Sequence, residues 1–479
     1  VYYDSNNAQI SGKVDRSDST NYSQVFEGFG WHVQEIDGHD HEKIREAIEK
    51  AQVVDRPSLI IGNTIMAKGA ANVEGDHETH GAPLDPEEIK ATKEKLGLPQ
   101  EQFYLPHEVV EHFQSRFKTL TDSCQQWKSQ IDSASQDNDF DVAWKCVHQT
   151  TYPELEYPTF DAGTKLATRK AFGATLDKFA DQIPNLIGGS ADLEPSNYTG
   201  NFATKFGDFS KTNRTGRNLA FGVREFPMAA AMNGIALHGG LIPFGGTFLV
   251  FADYERPALR LGSIQKCRVM HEFTHDSFWV GEDGPTHQPI EHAMALRAIP
   301  NLNVYRPADA KETAVCFKLA LESHETPSAL LLTRQGVPVL ESSIDATIDG
   351  VTKGAYSVFD CDSPELIFLA TGSEVSLAME VAQQMNDKKI RVVSMPCWEL
   401  FESQSSDYKR SLIPTRGAMK ISFEAGVTLG WDRYIGSNGL AIGIDHFGAS
   451  APGADLAEEF GFTAPKVEAK IREHLGSLL

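Results

Sequence analysis

Several short stretches of this chain hold side chains whose types and spacing suit chemistry. In Asp4-Ser5-Asn6-Asn7, at the end of a strand-like run, an Asn amide oxygen beside a free backbone carbonyl suits a hard cation bridging to a diphosphate. An Asx turn is the plain alternative, since Asn and Asp dominate turns. In Gly222-Val223-Arg224-Glu225-Phe226, a carboxylate stands at the mouth of the apolar run Met228 to Gly234. An acid there is either a first-turn residue stabilised by the helix dipole or a desolvated group that stays protonated and hydrogen-bonds a ligand nitrogen. Phe248, Phe251 and Tyr254 recur every three residues and so share one side of a helical turn, as core aromatics or as a ring-stacking pocket.

A fourth stretch, Phe273-Thr274-His275-Asp276 with Gly281-Glu282-Asp283-Gly284-Pro285-Thr286-His287-Gln288, is a polar loop between apolar flanks. No HxH, HExxH or cysteine partner completes a zinc site, so a hydroxyl-rich or phosphorylated substrate explains the composition better. Arg169 follows Leu166-Ala167-Thr168, and Arg334 ends the apolar run Leu330-Leu331-Leu332-Thr333. A cation at the carboxyl end of a buried strand lies where open α/β sheets place ligands, although surface solvation is the default for any single arginine.

The elements that must position these groups alternate between strand and helix. The pattern predicts strands at Val1-Tyr2-Tyr3, 28–33 and 58–61, with an amphipathic helix over 41–53. Residues 69–83, rich in Gly and His, read as a mobile loop, and 108–139 as a polar helical linker. The α/β pattern then resumes, with a helix over 165–180, a strand at 186–188, a helix near 227–237, and strands at 268–273 and 329–333. Met228 to Ala252 reads as a buried helix followed by a tight loop. A third unit has strands at 366–370, 391–395, 420–423 and 440–444, with helices at 373–386 and 466–475. The expected fold class is α/β, three domains with mostly parallel sheets. The expected limits are 1–120, a linker over 121–157, then 158–337 and 338–479.

The 479 residues carry 44 Lys and Arg against 66 Asp and Glu, a net charge of −22. That field repels polyanions, which argues against nucleic acid and anionic membranes as partners, while a local cationic pocket still admits small phosphates. Six cysteines without a CxxC pair read as reduced thiols of a cytoplasmic protein. The most apolar stretch, 228–252, holds Asn233, His238, Pro243 and several glycines, a poor lipid-facing helix, so the chain reads as soluble.

The runs GGSADLEPSN (188–197), FGVREFPMAAAMNGIALHGG (221–240), THDSFWVGEDGPTHQP (274–289), LATGSEVSLA (369–378), VVSMPCWELF near 392–401 and FGASAPG near 447–453 closely resemble the transketolase family, in the same order and over nearly the whole chain. The histidine of GPTHQP resembles the bacterial and plant version. The resemblance implies thiamine diphosphate with Mg²⁺ (or Ca²⁺), and a homodimer in which the cofactor lies between the diphosphate-binding domain of one subunit and the pyrimidine-binding domain of the other. It implies transfer of a two-carbon ketol unit from a ketose phosphate to an aldose phosphate, as in the pentose phosphate and Calvin pathways. Glu225 matches the glutamate that protonates the aminopyrimidine ring, and Phe248, Phe251 and Tyr254 match the pocket around that ring. Asp192 matches a cofactor-binding position, and His80, in THGAPL, a histidine near the diphosphate and reaction centre. His275 and Asp283 match groups that hold donor hydroxyls, while Arg169, Ser196, His287 and Arg334 match the clamp on the sugar phosphate. Asn6 and the Ala8 carbonyl match two metal ligands, with Asn7 an alternative to Asn6.

A chain of this family normally begins with a segment holding several substrate histidines and a Gly-Asp-Gly motif, and neither is in these 479 residues. The expectation is therefore a chain entered partway through the diphosphate-binding domain. The alternatives to a complete transketolase are dihydroxyacetone synthase and a dimerising half-site that is inactive alone. Deoxyxylulose phosphate synthase and the pyruvate dehydrogenase component fit less well, because the loop of His275, Asp283 and His287 suits a polyhydroxylated donor.

Overall fold

The computed structural model describes residues 1–148 and 154–477. The chain divides into two compact units, Val1–Ile131 and Asp132–Leu479. Sheets within both are mostly parallel, and the fold is α/β.

In the first unit, Ser58–Asn63 lies between Tyr2–Ser5 and His32–Asp37 in a parallel sheet. Leu59, Ile60 and Ile61 are buried, as a central parallel strand requires. Asp40 caps the helix His41–Gln52 by accepting from the backbone N–H groups of Glu42 and Lys43, which gives the expected start of that helix a physical cause. The strand expected at 28–33 is displaced. Asn21 caps a helix, Tyr22–Gly28, so the strand begins only at His32. The polar stretch after residue 106 forms the helix His107–Ala134, followed by Asn138–His148. Residues 149–153, inside the expected linker, lie outside the described residues.

The second unit contains two five-stranded sheets. The first has the order Asn303–Tyr305, Ser328–Leu332, Met270–Thr274, Ile242–Phe248, Leu186–Ser190, all parallel. The second has the order Tyr356–Phe359, Ile390–Ser394, Leu366–Ala370, Met419–Phe423, Leu440–Ile442, with only Tyr356–Phe359 antiparallel. Phe172, Phe179, Phe244 and Phe317 pack under the first sheet, and Phe368, Phe423, Val392 and Ile471 lie in the core of the second.

Two expectations fail here. The helix expected over 165–180 starts at Thr168, because Lys165–Leu166 pairs as a short strand with Val337–Pro338. The tight loop expected after the 228–238 helix is a turn at Gly239-Gly240 and then Ile242–Phe248, a strand buried at every position. Its two glycines misled the pattern, and packing explains them. A Cβ on Gly245 would lie 2.7 Å from Met232 Sδ, and one on Gly246 2.6 Å from Glu272 Oε2. No helix among the described residues is long and apolar enough to cross a membrane.

Candidate active site

Parallel strands end on one side of their sheet, so the segments leaving them converge. In the second unit, Asp192 and Ser196 follow Leu186–Ser190, Phe248 closes Ile242–Phe248, His275 follows Met270–Thr274, and Arg334 comes just after Ser328–Leu332. Arg169 enters from the first turn of Thr168–Gln182. A reciprocal bond joins these starts and ends. Thr333 Oγ1 accepts from the Thr168 N–H at 2.9 Å, and Thr168 Oγ1 from the Thr333 N–H at 2.7 Å. This buried junction brings the following residues together, so that burial, and then the nearby charge of Arg334, lower the hold of Arg169 on its proton.

Arg169 Nη1 donates to the Ser196 carbonyl at 3.0 Å and lies 3.5 Å from His275 Nε2, while its buried Nε has no hydrogen-bond partner among the described residues. His275 is 4% exposed and has φ 61°, a left-handed conformation that only a well-determined surrounding maintains in a non-glycine residue. Its Nδ1 is 2.9 Å from Thr274 Oγ1, and its ring lies 3.7 Å from that of Phe248. Burial, and then the charges of Arg169, Arg334 and His287, push the His275 imidazole down to about 3. At neutral pH it is therefore uncharged, with one ring nitrogen donating and the other accepting.

The aromatic trio does not occupy one helical turn. Phe248 ends a strand, Phe251 lies in a short 3₁₀ segment, and Tyr254 is in the helix Ala252–Ile264. The rings still meet: Phe248 and Phe251 stack at 5.8 Å and 4°, and Tyr254 is 6.0 Å from Phe251. His287, half-buried, lies 5.6 Å from Phe251. Asp192 and Asp283 are exposed, and among the described residues no hydrogen bond or ion pair ties either to this group. Glu225 is the first residue of the helix Glu225–His238 and is half-buried rather than buried as expected, because the outer face of that helix is open in the single chain.

In the first unit, Asn6, Asn7, Ala8 and His80 line one cleft of about 720 Å³ together with Tyr3, Met66 and Arg16. The Asx turn expected as an alternative is present, since Asn6 Oδ1 accepts from the Ala8 N–H at 3.0 Å. Asn7 is exposed, with φ 52°. Amide and carbonyl oxygens are the donors a hard cation takes, and an amide oxygen in one hydrogen bond keeps a second lone pair.

Sequence reasoning missed the groups that hold this site in shape. Asn197, fully buried, accepts from Ser190 Oγ at 2.7 Å and donates to the Thr247 carbonyl and Thr274 Oγ1, both at 3.1 Å, tying three strand ends together. Arg306, 1% exposed, donates from Nε to Asp276 at 2.9 Å and from Nη1 to Glu374 and to the Thr371 carbonyl at 2.8 Å. It fills the crevice beyond Leu366–Ala370, where successive strands lie on opposite sides of a central one and open sheets offer a ligand site. The available signal was an arginine directly after the short strand Asn303-Val304-Tyr305, whose last two residues are buried.

A parallel-sheet unit with paired aromatic rings and cations at its strand ends is a ligand site of an α/β enzyme, and the matching families place it in the thiamine-diphosphate-dependent class. The family descriptions that match are "Transketolase, thiamine diphosphate binding domain" over 1–144, "Transketolase, pyrimidine binding domain" over 164–339, and "Transketolase-like TK C-terminal domain" over 354–463. The transketolase of Halalkalibacterium halodurans is 42% identical over 98% of this chain and 72% of its own length; that of Staphylococcus aureus is 44% identical with the same coverage. A solved transketolase from Leishmania mexicana superposes with a TM-score of 0.93 at 38% identity, covering 99% of this chain and 70% of that one. The chain belongs to the transketolase family, and it is a transferase that moves a two-carbon ketol unit with thiamine diphosphate as cofactor. The residues present fit that cofactor: oxygen donors in the first unit suit a diphosphate-bound cation, and stacked rings in the second suit a heteroaromatic ring.

Proposed function

We propose that this enzyme takes its ketol unit from a ketose phosphate such as xylulose 5-phosphate and gives it to an aldose phosphate such as ribose 5-phosphate. The observation that carries this reading is the convergence of Arg169, Arg334, His275 and His287 beside Phe248 and Phe251. Arg169 and Arg334 offer planar donors to the sugar phosphate, which the Ser196 and His287 segments border. His275, uncharged, exchanges hydrogen bonds with donor hydroxyls, and Asp283 reads the configuration of one of them. Phe248, Phe251 and Tyr254 hold the pyrimidine ring, and Glu225 holds a proton at a nitrogen of that ring. Asn6 and the Ala8 carbonyl hold a divalent cation, His80 lies by the diphosphate, and Asp192 is a further cofactor contact. When bound, thiamine diphosphate supplies the electron sink for the carbanion left by C–C cleavage.

The same reading keeps residues 1–120 as the diphosphate-binding part, 158–337 as the pyrimidine-binding part and 338–479 as the C-terminal domain. It places the reaction in pentose phosphate metabolism and, from the six free cysteines, in a reducing cytoplasm. Replacing Arg169 with Gln is expected to raise KM for both sugar phosphates about 10–100-fold, the loss of one charge-assisted phosphate contact, with a smaller change in kcat. Initial rates with ribose 5-phosphate and with formaldehyde as acceptors measure this and separate sugar transfer from dihydroxyacetone synthesis. An unchanged KM removes Arg169 from the clamp.

The working form is a homodimer. Its support is an apolar surface on the second unit: Val223, Phe226, Leu237, Leu261 and Ile264 are all exposed, on and beside the helices Glu225–His238 and Ala252–Ile264. A surface of this kind on packed helices seeks a second copy. Sedimentation velocity at micromolar concentration should show a dimer; a monomer throughout would contradict it.

A further inference from the structure

Three metal-ligating side chains that the ketol-transfer reading does not use meet in the second unit. Asp253 stands in the first turn of the helix Ala252–Ile264, and Glu291 and His292 lie at the start of the short helix His292–Arg297. Arg256 Nη2 ties the two helices together by donating to the Ala295 carbonyl at 3.1 Å. One donor atom from each of Asp253, Glu291 and His292 lies within 4.8 Å of the other two. His292 is 5% exposed, and neither of its ring nitrogens has a hydrogen-bond partner among the described residues. The two carboxylates are exposed and flank the ring, with Asp253 Oδ2 3.2 Å from Nε2 and Glu291 Oε2 3.8 Å from Nδ1.

We propose that Asp253, Glu291 and His292 bind a divalent transition-metal ion of the Zn²⁺ type, in addition to the hard cation that accompanies the cofactor. The first argument is the state of the imidazole. A buried ring with two unsatisfied nitrogens calls for a group that satisfies them, and a histidine serving only as an ion-pair partner aims an N–H at its carboxylate. Asp253 Oδ2 is near Nε2 but off its N–H direction, so no hydrogen bond forms. A fellow ligand of a shared ion lies in just such a place. Atoms bound to one tetrahedral Zn²⁺ at about 2.0–2.2 Å are roughly 3.3–3.6 Å apart, and the nitrogen points at the ion rather than at its neighbour. The second argument is donor type. One imidazole with two carboxylates suits Zn²⁺ and its neighbours in the first row, whereas Mg²⁺ and Ca²⁺ prefer oxygen donors throughout. Glu291, being exposed, can rotate to close the remaining distance, and water completes the shell. An acid favoured at a helix N-terminus explains Asp253 alone and leaves the bare imidazole without a cause. An ion here fastens the start of the helix that carries Tyr254 to the segment that follows His287.

The test is Zn²⁺ binding by the full chain, stripped of metal and cofactor, with excess Mg²⁺ present to occupy sites made of oxygen alone. Equilibrium dialysis against ZnCl₂ counts the bound ions. The chain has 16 histidines, so incidental Zn²⁺ binding is common to every variant and the difference between variants carries the result. His292→Leu should bind one Zn²⁺ fewer per chain than wild type. Asp253→Asn and Glu291→Gln, both on exposed side chains, should each weaken the binding of that ion by at least about 10-fold, the lower end of what even outer partners of a metal site are worth. Co²⁺ in place of Zn²⁺ should give wild type the visible absorption of a four- or five-coordinate ion, which His292→Leu lacks. If wild type and the three folded variants bind the same number of Zn²⁺ ions with the same affinity, the cluster is an ion pair at a helix start and the proposal fails. If His292→Leu does not fold, the two carboxylate variants decide: weakened binding in both supports the site, and unchanged affinity in both overturns it.

Discussion

Glu225→Gln is expected to lower ketol transfer by roughly 10²–10⁴-fold, the range lost when a positioned proton donor is removed, while the fold persists. Glutamine keeps the shape of the side chain and can donate a hydrogen bond, but it cannot give up a proton and take it back. Glu225 opens the helix Glu225–His238, where an acid also interacts with the helix dipole. That plain role is worth about 0.3–1 kcal/mol of stability and nothing in turnover. Measuring kcat together with the urea midpoint therefore separates the two roles. Wild-type kcat with a slightly lowered midpoint would leave Glu225 as a capping acid only.

Arg306→Met should be the most destabilising single change outside the cofactor-contacting residues. The guanidinium is enclosed by Asp276, Glu374 and Glu424, and Glu424 is itself held by a two-pronged bond from Arg297 at 2.8 and 2.9 Å. Removing the cation leaves buried carboxylates uncompensated, at a cost of about 3–5 kcal/mol. Burial already pushes the Glu374 carboxyl up even with Arg306 pulling it down, so without Arg306 it rises further. The folded variant then holds a proton that its unfolded chain releases, and its stability falls as pH rises through that range. The deficit against wild type should accordingly be larger at pH 8 than at pH 6 in urea unfolding. A deficit below about 1 kcal/mol at both pH values would show that the crevice tolerates an empty centre. Ketol transfer should fall as well, because Asp276 directly follows His275 and fixes the loop in which that left-handed residue stands.

The sequence by itself determined which residue types would carry chemistry and, through long ordered motifs, the family. It also determined the elements with local causes. Asp40 sets the start of His41–Gln52, and the continuous apolar run Leu366–Ala370, within an alternating strand–helix pattern, suits a strand covered on both faces of a parallel sheet. Only the tertiary structure decided what happens where local signals mislead. Gly245 and Gly246 look like a loop, and they are strand residues because methionine, asparagine and glutamate side chains press against their backbone. Phe248, Phe251 and Tyr254 are spaced like one helical turn but come from three elements, and their rings meet because a strand hands over to a helix there. Arg169 and Arg334 are 165 residues apart in sequence and adjacent through Thr168 and Thr333, a pairing that no local pattern encodes. The burial of Arg306, the meeting of Asp253 with His292 and the half-exposure of Glu225 likewise depend on which faces close against one another. Proton affinities follow the same rule: solvent exclusion and neighbouring charge set them, and both exist only once distant segments have packed.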